Sequence, residues 1–148
     1  MRFILVDRVL ERSAERIVTL KHVSMAEEYM DDHFKSFPVL PGVMMLECLV
    51  QAARELAGPH EDGRPMVLGK ARAVKYGRFV QPGSSLRVEV SLLSRSDDGS
   101  AEFRGEGTLV EPGGDTSTGG GPVAVAGRFM LRPARIATSR LVKPTATA

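Results

Sequence analysis

The sequence predicts an α+β domain in which an antiparallel sheet wraps one long central helix. Two observations carry that expectation. A single helical stretch, 43–57, opens after Pro41-Gly42 and stops at Gly58-Pro59, with Met, Leu, Cys, Val and Ala on nearly every face. Long strand-like runs then follow at 67–79, 86–95, 101–111 and 123–131, with Pro82-Gly83 and Asp97-Asp98-Gly99 as turn chemistry between them. A chain of 148 residues fits one domain and is long enough to bury a core.

In chain order, 3–10 and 16–23 are rich in Val, Ile and Leu and read as two strands around Ser13-Ala14. Ser24 followed by Glu27 is a capping-box pattern, which predicts a short helical turn over 25–30. The segment 31–40 is a loop kept extended by Pro38 and Pro41. After the helix, 60–65 is a polar loop. Pro112 and Pro122 bracket Gly113-Gly114 and Gly119-Gly120-Gly121, which predicts a flexible hairpin tip. A phosphate cradle would need a Gly-x-x-x-x-Gly-Lys-Ser/Thr run opening a helix, and neither is present there. The expected domain is 1–133, followed by a disordered tail over 134–148 that is poor in large apolar residues.

Composition narrows the function classes. A net charge of +2 and the lack of tryptophan argue against a nucleic-acid surface. Cys48 is the one cysteine, so a reducing compartment is expected, with the thiol acting as a small apolar side chain. Asp7 and Arg8 interrupt the first apolar run before it reaches signal-peptide length. No run approaches the ~20 apolar residues of a membrane span, and a cytoplasmic protein is expected.

The chemistry concentrates between His33 and Gln51. His33 sits on the proline-punctuated loop, and Glu47 is a carboxylate inside the apolar helix. A carboxylate buried there is expensive to ionise, so its pKa is expected to rise, leaving a neutral acid. An imidazole and such a carboxyl form an acid/base pair. The bland alternatives are a loop histidine that caps the helix or binds water, and a structural carboxylate satisfied by Gln51 or Arg54. The N–H groups of Gly42 and Val43 open the helix at the positive end of its dipole, where they can polarise an oxygen that gains charge. Gln51, one turn after Glu47, orients it, holds a water or packs. His22 and His60 lack ligand spacing to His33, so no metal site is expected. No Gly-x-Ser-x-Gly elbow supports a serine hydrolase. Arg72, Lys75 and Arg78 read as a surface for an acidic partner or as a solvated strand face.

The pattern His-Phe-x-x-x-Pro-x-x-Pro-Gly-Val-x-x-x-Glu-x-x-x-Gln, from His33 to Gln51, resembles the active-site signature of the hot-dog-fold 3-hydroxyacyl-acyl-carrier-protein dehydratases. The likeness extends upstream through Phe3-Ile4-Leu5-Val6-Asp7-Arg8-Val9-Leu10-Glu11 and Arg16-Ile17-Val18-Thr19-Leu20-Lys21-His22-Val23-Ser24, and downstream through Lys75-Tyr76-Gly77-Arg78-Phe79-Val80-Gln81-Pro82-Gly83. It implies a hot-dog topology and dehydration of a 3-hydroxyacyl thioester to the trans-2-enoyl thioester. It casts His33 as the base, Glu47 as the acid, and Phe34, Gly42, Val43 and Gln51 as substrate-facing residues. It further implies a homodimer with sites shared between chains, with any higher assembly of dimers left open. The substrate would ride on the phosphopantetheine of acyl carrier protein, with no cofactor or metal of the enzyme's own. Two positions depart from the pattern: Lys35-Ser36 stands where Pro-Gly usually follows His-Phe, and Ser84 replaces the usual acid after the later Pro-Gly. Acyl chain length is therefore open. A hot-dog thioesterase and a non-catalytic carrier-binding protein are the competing functions.

Overall fold

The computed structural model describes residues 3–135. Six strands form one antiparallel sheet: β1 (Arg8–Arg12), β2 (Arg16–His22), β3 (Met66–Tyr76), β4 (Ser85–Arg95), β5 (Ala101–Val110) and β6 (Val123–Pro133). Their order across the sheet is β1-β2-β4-β5-β6-β3. Helix α1 (Gly42–Ala57) packs against β2, β3, β4, β5 and β6, so the sheet curls around it as expected.

Alternation explains the core. Leu86, Val88 and Val90 of β4 and Ala101 and Phe103 of β5 turn inward, where they meet Met45, Cys48, Leu49, Ala52, Ala53 and Leu56 of α1. These helix positions recur at three- and four-residue spacing and so share one stripe. Phe103 and Phe129 stack with ring centroids 5.7 Å apart. The helix sits close to the sheet because β5 carries Gly105 beneath Leu49; a β-carbon there would lie 3.0 Å from Leu49 Cδ1. The opposite stripe of α1 contains Val43, Glu47, Gln51 and Arg54, none of them buried. The helix is thus amphipathic rather than apolar all round. Partly buried Met44 and Leu46 flank the outward stripe and mask it in the sequence.

Some boundaries move. The first strand begins at Arg8, not at residue 3, because 3–6 leave the sheet and run over the helix. The third ends at Tyr76, after which Val80 turns into the core. The turn expected over 25–30 is a bend followed by one 3-10 turn, Glu28–Met30, and Ser24 N–H reaches Glu27 at 3.4 Å. Buried Lys21 projects from β2 to Glu27 and Asp7, tying this segment to the sheet.

The glycine-rich tip is folded against the molecule rather than projecting free. Arg87, almost fully buried on β4, donates from Nε to Thr116 O at 3.2 Å. A β-carbon at Gly119 would lie 3.2 Å from its Nη1. At the other end Ala134 N–H bonds to Pro65 O at 2.9 Å. The tail expected over 134–148 lies, from residue 136 on, outside the described residues.

Candidate active site

His33 follows the 3-10 turn on a loop whose exit is fixed: Val39 and Leu40 are buried, and Leu40 N–H bonds to Val80 O at 2.8 Å. His33 Nδ1 lies 3.3 Å from Val39 O, so the tautomer that donates from Nδ1 leaves Nε2 as a free base. Phe34 adopts φ 58°, the left-handed region that bulky residues avoid, and its ring lies 4.4 Å from that of His33. Its carbonyl accepts a hydrogen bond from Phe37 N–H at 2.8 Å.

The loop delivers the chain to the helix start. Met44 and Met45 N–H both bond to Pro41 O, while Gly42 and Val43 N–H have no acceptor among the described residues. Sequence reasoning missed the residue that lies here. The ring of Tyr76, at the end of β3, covers Gly42 so closely that a β-carbon on Gly42 would sit 3.1 Å from Cε1. Tyr76 read as part of a strand and of the stretch that resembles the family, with no site role, and nothing local announces that β3 ends over the helix. Phe34, Phe37, Val43, Tyr76 and Phe79 are all exposed, Val43 at 71%, and Phe37 meets Phe79 edge-on at 5.6 Å. The free N–H groups therefore lie in a region of exposed apolar side chains.

Glu47 sits one turn further on, and the structure corrects the expectation of burial. Its side chain is 35% exposed. Oε1 accepts Gln51 Nε2 at 3.1 Å and Arg54 Nη1 at 3.3 Å, so the structural partners foreseen for it are both in place. Arg54 is itself fixed, donating from Nε to Met66 O at 2.9 Å. Oε2 has no partner among the described residues. Glu47 lines a cavity of about 660 Å³ with Phe3, Val6, Val9, Met44 and Gln51. His33 is not part of that lining. Within one chain, no hydrogen bond joins His33 to Glu47 among the described residues.

Other candidates fall into structural places. His22 Nδ1 meets Ser85 Oγ at 3.1 Å. His60 Nδ1 lies 2.9 Å from Asp62, whose carboxyl is held down to about 2 by the Arg64 N–H and by His60. The Cys48 thiol is pushed up to about 12 by burial, which keeps it an unreactive core residue. Arg72 pairs with Glu102 and stands in one cross-strand row with Arg128 and Arg104 on the outer face of the sheet.

With this geometry in place, comparison with known proteins decides the family. The family model of ApeI-like proteins, described as ApeI dehydratase, matches residues 10–111. The chain belongs to this dehydratase family. Over 95 residues it is 37% identical to the 3-hydroxyacyl-acyl-carrier-protein dehydratase FabZ of Lactococcus lactis subsp. cremoris, covering 63% of this chain and 66% of that protein. The FabZ of Solibacter usitatus is 40% identical over 96 residues, covering 63% of this chain and 59% of the relative. The chain thus spans somewhat less than two-thirds of the length of these relatives. In fold it is similar to the dehydratase heterocomplex ApeI:P from Xenorhabdus doucetiae, with a TM-score of 0.61 and 18% identity, covering 89% of this chain and 99% of that one. It is also similar to zebra fish thioesterase superfamily member 2, with a TM-score of 0.59 and 15% identity, covering 85% and 80%. The fold is therefore the hot-dog fold, which this dehydratase family shares with thioesterases, so the reaction must be read from the site.

Proposed function

We propose that this dehydratase converts a 3-hydroxyacyl thioester carried on acyl carrier protein into the trans-2-enoyl thioester and water, in fatty-acid or related acyl-chain synthesis. The observation that carries the reading is the polarity of the site. One nitrogen of His33 is held by a carbonyl and the other is free, while a carboxyl stands one turn inside a helix whose first N–H groups lack acceptors.

His33 Nε2 takes the proton beside the thioester carbonyl. The N–H groups of Gly42 and Val43 receive the negative charge that develops on the thioester oxygen. The C–O bond to the 3-hydroxyl breaks, Glu47 gives that oxygen the proton from Oε2, and water leaves. No electron is transferred and the thioester stays intact, so acid–base groups suffice without cofactor or metal.

The site is shared between two copies of the chain. Three features support this: His33 stands apart from the cavity of Glu47, the helix start is ringed by exposed apolar side chains, and β3, 11 residues long, is an edge strand with no outer neighbour among the described residues. Pairing across that edge covers a surface that proteins seldom leave bare. Arg104 and Arg128, directly opposite one another on β5 and β6, suit an acidic carrier protein, because like charges so placed are unfavourable without an anion between them, whereas Arg72 is already paired with Glu102. Charge reversal at Arg104 and Arg128 should weaken turnover of carrier-bound substrate and leave pantetheine-bound substrate unaffected. The place of action proposed is the cytoplasm.

Incubation with a short 3-hydroxyacyl carrier-protein thioester, followed by mass spectrometry, tests the reaction. Loss of one water with gain of enoyl absorbance is expected. Release of free carrier thiol would instead make the protein a thioesterase.

A further inference from the structure

We infer that the amino-terminal arm, residues 3–5, positions Glu47 through the side-chain amide of Gln51. The inference rests on the reading of Glu47 as the acid, and it adds to the reaction a segment that precedes the span matched by the family, 10–111.

Among the described residues the arm has no strand partner. Its backbone instead pairs with Gln51: Leu5 N–H donates to Oε1 at 2.8 Å, and Nε2 donates to Phe3 O at 2.9 Å. Phe3 O and Leu5 N–H, two residues apart, both reach this one amide, which bonds the arm as a neighbouring strand would. This two-point bond fixes which end of the amide faces which way. A flipped amide would set its NH₂ against Leu5 N–H and its oxygen against Phe3 O. Nε2 must then aim its second hydrogen at Glu47 Oε1, 3.1 Å away.

The arm is itself anchored. Leu5 is 1% exposed in the core, Phe3 meets the Tyr29 ring edge-on at 5.5 Å, and Asp7 N–H bonds to Leu20 O at 2.9 Å. With Oε1 held by Gln51 and Arg54, Oε2 is the oxygen left free of partners among the described residues. The arm thus selects which carboxyl oxygen does the chemistry, and Gln51 is a positioning residue.

Two variants test this: Gln51→Leu, and a chain lacking residues 2–4, which keeps the Leu5 anchor. Each should lower kcat for dehydration by about ten- to a hundredfold while KM changes little. The two changes combined should be no worse than one, because they cut the same connection. The Glu47 side-chain carbon, followed by ¹³C NMR against pH, should titrate at a displaced pH in both variants. An unchanged titration with parental kcat in the shortened chain would overturn the inference. So would a Gln51→Leu protein that melts earlier but keeps both. If the parent dehydrates nothing, the proposed function fails, and the NMR titration still decides whether the arm acts on Glu47.

Discussion

Two atoms carry the proton traffic in this account, His33 Nε2 and Glu47 Oε2, each free because its companion atom is occupied. His33→Ala should lower dehydration by at least about a hundredfold, the lower range for losing a general acid or base, with little change in melting temperature. Glu47→Gln keeps the shape without the titrating proton and should be nearly inactive. Because Glu47 is partly exposed, the loss of its ion pair with Arg54 should cost less than about 1 kcal/mol, read by urea denaturation. A Glu47→Gln protein that turns over normally but unfolds easily would make the residue a structural anchor. The positions of His33 and Glu47 on loop and helix were legible from punctuation alone. The exposure of Glu47 was not, because Met44 and Leu46 lend apolar character to both flanks of the outward stripe. The partnership of Tyr76 with Gly42 was equally hidden, since it joins residues far apart in the chain.

Between elements, the helix–sheet spacing depends on Gly105. A β-carbon there would meet Leu49 Cδ1 at 3.0 Å and Phe129 Cε1 at 3.2 Å. Gly105→Ala should therefore destabilise the fold by about 1–3 kcal/mol, measured by urea denaturation, as overpacking does. The outer face of the sheet carries a different kind of tie. Arg16 of β2 holds Glu89 of β4 at 2.8 Å and keeps its carboxyl below the usual range. A carboxyl lowered in the folded state adds stability above its unfolded value of about 4.3, and that contribution fades as the pH falls through the folded value. Stability in the parent should accordingly decline below about pH 4, and Glu89→Gln should flatten that part of the profile. Chemical denaturation across pH 2–7 reads both. The strands from 67 on were legible because alternation and turn residues agree. The arm was misread as strand, since Phe3, Ile4 and Leu5 have strand-like side chains while their backbone pairs with a glutamine side chain.

At the scale of the whole molecule, the proposed shared site calls for a second copy of the chain. His33 and Glu47 belong to different surroundings, and exposed aromatic side chains and an open strand edge frame the helix start. Nothing in a single sequence marks which exposed apolar residues meet a second copy, and the homodimer entered the sequence reading only through the family resemblance. If two chains complete each site, an inactive His33→Ala chain and an inactive Glu47→Ala chain complement each other. In a random mixture half the dimers are mixed, and each mixed dimer holds one site with both groups intact. The most direct measurement is therefore dehydration by the mixture after subunit exchange, with exchange itself followed by native mass spectrometry. About a quarter of parental activity is expected for two-fold symmetric dimers. Activity that stays at the level of the separate variants, despite demonstrated exchange, would contradict the shared site and return both groups to one chain.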